Sequence, residues 1–501
     1  MFASIRRLTQ HSIVYGLGHM LARSLGFLLI PLHTNVLASE VYGVASLLFS
    51  SIAVMMTVYG FGIDSAFLRY YIIEKHVAER RRIFSTAFWS IFASAACFSL
   101  VELLAARPLA AVLFESADYA HLVRLSAGVL FFDVLSILPL LLLRAEERSL
   151  LFITQRFANV ALNLALNYVF LVKLGRGLAG IFEANLISSI LSFAMLLPIS
   201  LRQLRPFFDR VLLGRLLRFG LPYLPSTLAV VTIDQLDRLL LKIMTDFTTV
   251  GIYSAGYRLG SFMSLMVTAF RFAWVPFFLQ QAAQEEDARP VFARVLTYFM
   301  FVCAAIFLAT CLFIDDVIRL PLGSTTLFGK EFWGGTVIVP IVLLAYWLYG
   351  IGQNFYVGIT LKEKTGYFPL ITGAGALVNI LANVLLIPPF GMIGAAWATV
   401  AAYAVMTVIS YRVSQPLYPI QYEHARLFKI VLVTAAIYAL HHFFTLGIFL
   451  RAGLLLLFPV LLYALGFFEK QEGQALKRLW ARRLSNPAEK NKNIAEQQIN
   501  P

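Results

Sequence analysis

The stretch from Ile233 to Lys242, IDQLDRLLLK, sets ionisable side chains into an apolar run. Asp234, Arg238 and Lys242 recur at every fourth residue, so a helix displays them on one face, where an internal pairing of Asp234 with Arg238 is the simplest role. Arg23, Arg124, Arg156, Arg258 and Arg271 lie in apolar runs too, as do Asp64, Glu102, Asp133, Glu183 and Asp237. A guanidinium stays protonated and donates two parallel hydrogen bonds to phosphate oxygens. A cavity built from Arg23, Arg156, Arg238, Lys242, Arg258 and Arg271 would attract a diphosphate, and Asp64, Asp133, Asp234 and Asp237 would supply pairing partners or a site for a coupled ion. Tyr15, Tyr59, Tyr253, Tyr257 and Gln235 could offer ring faces and hydrogen bonds to sugars, although tyrosines in membrane helices commonly mark the interfaces.

Patterns for other chemistry are absent from the sequence. There is no GxxxxGK[ST] phosphate loop, HExxH pair, GxSxG elbow or Rossmann glycine pattern. Cys97, Cys303 and Cys311 fall in apolar runs without a CxxC pair, and the adjacent His441 and His442 point to different sides of a helix. The expectation is a non-enzyme with no cofactor and no metal.

The elements that must position these charges are membrane helices. Of 501 residues, 59% are hydrophobic and 14% charged, against roughly 25% charged in soluble domains. Apolar windows of about 18 residues or more give fourteen candidate spans. They cover 10–36, 43–66, 83–105, 119–143, 149–171, 178–200, 219–244, 251–279, 295–314, 336–360, 367–387, 392–411, 430–446 and 452–468. The first reads as a retained helix rather than a cleaved signal. With both termini inside, 28 of the 41 basic residues fall in inner segments and 6 in outer loops. That asymmetry sets the orientation and gives the +14 net charge an address, a membrane face instead of nucleic acid.

A charge at mid-bilayer costs at least ~2.5 to 3.5 kcal/mol on insertion scales, so charges there must face water, a partner or a substrate. Arg124 and Arg258 are near enough to the outer ends to snorkel, and Asp64 and Arg271 lie near the inner face. Arg23 is mid-span. Asp133, also mid-span, could pair with Arg23 or hold a coupling cation.

Two echoes mark an internal repeat. Asn163 and Asn167 match Asn379 and Asn383 at an offset of 216, followed by Gly177 and Gly180 against Gly391 and Gly394 at 214. Tyr42-Gly43-Val44-Ala45-Ser46 matches Val250-Gly251-Ile252-Tyr253-Ser254 at 208. Each echo displaces the chain by six spans, which keeps direction through the membrane, so the halves are parallel repeats. The predicted architecture is an all-α polytopic membrane protein of two parallel six-helix lobes, 1–205 and 206–415, with two additional helices over 416–468 and a basic tail over 469–501. Pro31 in the first span and Pro222 and Pro225 in the seventh mark kinks at similar places in the two lobes.

The segment IDQLDRLLLKIMTDFTTVGIYSAGYRLGSF, with GFLLIPLHTNVLASEVYGVASL and NILANVLLIPPFGMIGAAWATV, resembles the polysaccharide flippases. These are the Wzx-type, oligosaccharide-lipid branch of the multidrug/oligosaccharidyl-lipid/polysaccharide exporter superfamily. The resemblance implies a secondary transporter of the bacterial inner membrane. Its substrate would be an undecaprenyl-diphosphate-linked oligosaccharide for O-antigen, capsule or exopolysaccharide, moved by alternating access coupled to a proton or sodium gradient. It also implies membrane lipids, a possible polysaccharide polymerase complex and no nucleic acid as partners, and cationic residues in the central cavity. The alternatives are a lipid II flippase and a multidrug cation exporter, the second disfavoured because basic side chains repel a cationic drug. A membrane glycosyltransferase or ligase would need a large outer loop, and the longest here, 315–335, has 21 residues.

Overall fold

A computed structural model describes residues 27–284 and 287–468. The helices are α1 (Leu29–Val36), α2 (Ser39–Gly60), α3 (Ile63–Ile73), α4 (Val77–Leu104), α5 (Ala106–Phe114), α6 (Ala120–Ala145), α7 (Ser149–Tyr168) and α8 (Gly177–Gln203). They continue with α9 (Arg210–Gly220), α10 (Leu224–Met244), α11 (Phe247–Gly260), α12 (Phe262–Gln284), α13 (Arg289–Arg319), α14 (Val339–Leu361), α15 (Tyr367–Leu417), α16 (His424–Phe443) and α17 (Ile448–Ala464). The protein is an all-α polytopic membrane protein. Eleven described helical segments are long and apolar enough to cross a bilayer. One of them, α15, is really two spans, because Gly391 breaks it at φ 54°, ψ −131°. The 17-residue α17 is shorter, and the predicted span 10–36 falls mostly outside the described residues, which show its last turns as α1.

Single residues set the ends and breaks. Phe61 and Gly62 at positive φ separate α2 from α3 within the second predicted span. The Asp209 carboxylate accepts from the Val211 and Leu212 N–H groups and starts α9, and Asp246 does the same for α11 through Thr249. Such caps satisfy amides that the helix cannot.

Residues matched between the two halves of the sequence adopt similar local geometry. Asn167 Nδ2 donates to the Asn163 carbonyl at 2.8 Å and to its Oδ1 at 3.0 Å. In the second half Asn383 Nδ2 donates to the Asn379 carbonyl at 2.9 Å and to its Oδ1 at 3.1 Å. Gly177 and Gly391, matched in sequence, both stand at φ 54°. Moreover, the matched glycines of the second echo meet. A Cβ on Gly43 would lie 1.9 Å from the Phe247 carbonyl oxygen, and one on Gly251 1.9 Å from that of Ser39. The contact is reciprocal between α2 and α11. Only glycine permits backbones this close.

The described residues form two compact units, one of 27–284, 287–296 and 314–421, the other of 297–313 and 422–468. In the second, Phe301 stacks on Phe458 at 5.4 Å and on Phe467 at 5.9 Å, while Arg426 pairs with Glu423 at 3.1 Å. Arg451 Nη1 donates to the Leu312 carbonyl at 2.8 Å. The sequence boundaries leave Arg426 and Arg451 in loops; α16 and α17 begin earlier and include both.

Within the first unit, one end of the bundle gathers the connections after α1, α5, α10 and α13. Asn35 Nδ2 donates to the Thr326 carbonyl at 2.9 Å, and the Ser39 N–H donates to Glu331 Oε2 at 2.8 Å. Thr326 belongs to a two-residue strand, Thr325–Thr326, paired antiparallel with Pro321–Leu322. Glu331 begins the 3₁₀ segment Lys330–Ile338. The opposite end is basic. There the Arg205 N–H donates to Ser85 Oγ at 2.9 Å, Trp89 Nε1 donates to the Arg205 carbonyl at 3.0 Å, and Arg69 stacks on Phe219 of α9 at 4.4 Å.

Candidate functional site

Between the halves, α10 carries its acidic and basic residues against α11, α14 and the second arm of α15. A cavity of about 410 Å³ opens there, bounded by Asp234, Gln235 and Arg238 of α10, Tyr257 and Arg258 of α11, and His33 of α1. Asn163, Asn185, Ser46 and Ser50 line the side from the first half.

Arg238 takes a different partner from the one its spacing suggests. Its Nη1 pairs with Asp237 Oδ1 at 2.7 Å, with both side chains buried, and also donates to the Asp234 backbone carbonyl. The Tyr253 hydroxyl donates to the other Asp237 oxygen, and the guanidinium lies over the Tyr257 ring at 4.2 Å. This is a compensated charge, held by a carboxylate, a carbonyl and an aromatic face. The Asp234 carboxylate is left to a ring of hydroxyls: Oδ1 accepts from Tyr403 at 2.7 Å, Tyr346 at 3.3 Å and Tyr257 at 3.5 Å. Those tyrosines come from three helices, so one carboxylate ties α10 to α11, α14 and α15.

Arg258 is different again. It is half-buried on the cavity wall, and no carboxylate pairs with it among the described residues. On the opposite wall a neutral chain of amides runs from the first half. His33 Nε2 lies 3.0 Å from Asn167 Oδ1, Asn167 reaches Asn163, and Asn163 Nδ2 donates to Asn185 Oδ1 at 3.1 Å. The cavity therefore sets Arg238 (paired with Asp237), Arg258 (without a carboxylate partner among the described residues) and the hydroxyl-ringed Asp234 against uncharged side chains from the first half.

The remaining predicted residues are placed elsewhere. Lys242 Nζ meets Glu115 Oε1 at 2.5 Å, an ion pair joining α10 to the connection after α5. Arg156 and Ser189 face Asp133 inside the first half, away from the cavity lining. Arg271 lines a second cavity. Asp64 is exposed in the first turn of α3, and Arg23 lies outside the described residues. The structure thus brings Asp234, Arg238 and Arg258 onto one cavity, with Asp237 behind Arg238, and distributes the others. Sequence reasoning missed Tyr346, Tyr403, Glu115 and His33. Nothing local marks them, since each meets the site only across long separations. Asn163 and Asn167 were marked only as repeat residues.

The sequence pattern of the Polysacc_synt family, described as polysaccharide biosynthesis protein, matches residues 8–281. That is more than half of the chain. The chain belongs to this family. No curated protein matches it. Among solved structures it is similar to the lipid II flippase MurJ in an inward closed conformation, with a TM-score of 0.73 and 15% identity over 90% of this chain and 99% of that one. It also resembles a multidrug resistance MATE family transporter of the MOP superfamily in an inward-facing conformation, with a TM-score of 0.61 and 16% identity over 82% of this chain and 94% of that one. A Vibrio cholerae MATE transporter gives 0.59 and 16% over 82% and 96%. At these identities the likeness is one of fold. The chain is thus a member of a polysaccharide biosynthesis family with the fold that MurJ and the MATE transporters share.

Proposed function

We propose that the protein carries an undecaprenyl-diphosphate-linked oligosaccharide from the cytoplasmic to the periplasmic leaflet of the bacterial inner membrane, for O-antigen, capsule or exopolysaccharide synthesis. The observation that carries this reading is Arg258, a cation without a carboxylate partner among the described residues, on an inter-lobe cavity rich in uncharged hydrogen-bonding groups. Such a wall is complementary to a diphosphate flanked by sugars. It disfavours the multidrug alternative, because Arg258 would repel a cationic drug and the carboxylate on the cavity lining, Asp234, is already engaged by three tyrosine hydroxyls.

In this reading the basic end is cytoplasmic, following the distribution of arginines, and the end closed by Gly43, Gly251 and the Lys242–Glu115 pair is periplasmic. Alternating access would part these contacts and bring the lobes together at the other end. Asp234 is the carboxylate we assign to the coupling proton or sodium ion. It faces the cavity, and the described groups on its carboxylate oxygen are hydroxyls, which can share a proton or ligate a cation.

The test is complementation. In the native host, Arg258→Gln at unchanged protein level should lower surface polysaccharide at least tenfold, while Arg258→Lys retains part of it. Normal polymer in Arg258→Gln would overturn the assignment. Rescue of cells lacking their lipid II flippase by the wild-type chain would instead favour lipid II as substrate, whose diphosphate the same cavity would hold.

A further inference from the structure

A second cavity, about 460 Å³, lies wholly within the second half, among α10, α12, α14 and both arms of α15 at the basic end. Its size is that of a small-ligand site. Arg271 is its one cationic lining residue, and its walls include Tyr223, Tyr349, Tyr356 and Phe368. The Tyr356 and Phe368 rings stand 4.9 Å apart at 56°, which makes a corner of two apolar faces. Polar edges come from Gln353 on the same wall as Tyr356, and from Ser226 and Thr372, whose hydroxyls are 3.0 Å apart. Arg271 is exposed, faces Tyr356, and has no carboxylate partner among the described residues.

A sugar ring has an apolar C–H face and a rim of hydroxyls, so it suits aromatic walls edged with amide and hydroxyl groups. A bare phosphate would call for several converging cations and gain nothing from the rings. One arginine beside aromatic faces selects a ring with a single negative group. The two cavities share a wall: the Tyr349 ring of the second stands 4.9 Å from that of Tyr403 at 43°, and the Tyr403 hydroxyl donates to Asp234 in the first.

We propose that this second cavity receives a carboxylate-bearing sugar of the lipid-linked glycan, held by Arg271 and the Tyr356–Phe368 corner while the diphosphate occupies the inter-lobe cavity. The inference rests on the flippase reading above.

The experiment is ligand-observed NMR on the purified full chain in detergent, with D-glucuronate, D-glucose and inorganic pyrophosphate as probes. Glucuronate should bind about tenfold more tightly than glucose, the size of one charge-assisted contact. Arg271→Gln should remove that preference, Arg271→Lys should restore part of it, and Tyr356→Ala should weaken both sugars. Pyrophosphate should survive all three changes, which also verifies folding, and should weaken in Arg258→Gln. Equal binding of the two sugars to the wild-type chain, or glucuronate binding that persists in Arg271→Gln, overturns the proposal. Pyrophosphate binding indifferent to Arg258→Gln counts instead against the diphosphate reading and leaves the sugar result to stand by itself.

Discussion

Two arginines on one cavity do different work because their surroundings differ. Arg238 is closed in by Asp237, Tyr253 and Tyr257, so removing a partner leaves a buried charge uncompensated. Breaking such a pair costs about 3 to 5 kcal/mol. Asp237→Asn should therefore reduce thermal stability and membrane abundance, measured by a detergent melt and by immunoblot, whereas Arg258→Gln should melt like the wild type and fail in transport. Equal stability of both variants would show that the Arg238 pair is not structural. Asp234→Asn tests the coupling assignment. It should abolish the dependence of polysaccharide export on the ion gradient while leaving the fold intact, because an asparagine oxygen still accepts from Tyr403. Gradient-dependent export in that variant would assign coupling to another carboxylate.

Helices approach where side chains are absent. At Gly43 and Gly251 a single Cβ would sit 1.9 Å from a carbonyl oxygen across the crossing, so Gly43→Val should force α2 and α11 apart. A cysteine placed at Ser254, buried beside the cavity, should then react faster with a membrane-impermeant maleimide from the far side. An unchanged rate would mean that the crossing does not close that end. Gly391 has a different reason to be glycine, since its φ of 54° with ψ −131° lies where only glycine is comfortable. Gly391→Ala should destabilise the protein by about 1 to 3 kcal/mol through strain, with no loss of packing, seen as a lower melting temperature.

At the scale of the whole molecule, the charges report orientation. With the basic end cytoplasmic, a cysteine at exposed Lys75 should be labelled only after the inner membrane is permeabilised, and one at exposed Lys330 in intact spheroplasts. The reverse pattern would invert the assignment of the two ends and the direction of transport with it.

Much of this was legible in the sequence because it depends on local periodicity. Long apolar runs fix membrane helices, since a buried backbone must satisfy its own hydrogen bonds. The offsets of 208 and 216 matched glycines and asparagines that adopt similar local geometry. Helix spacing correctly placed Asp234, Arg238 and Lys242 on α10 but assigned their partners poorly. Arg238 pairs with its neighbour Asp237, Lys242 with Glu115 at a separation of 127 residues, and Asp234 with Tyr403 at 169. What the sequence determined was thus the membrane class and the presence of charges that need company. Which charge is satisfied, which remains open to a ligand, and where the cavities lie were decided only by tertiary structure. The free energy of a buried charge depends on groups brought from other helices, and no spacing along one helix encodes them.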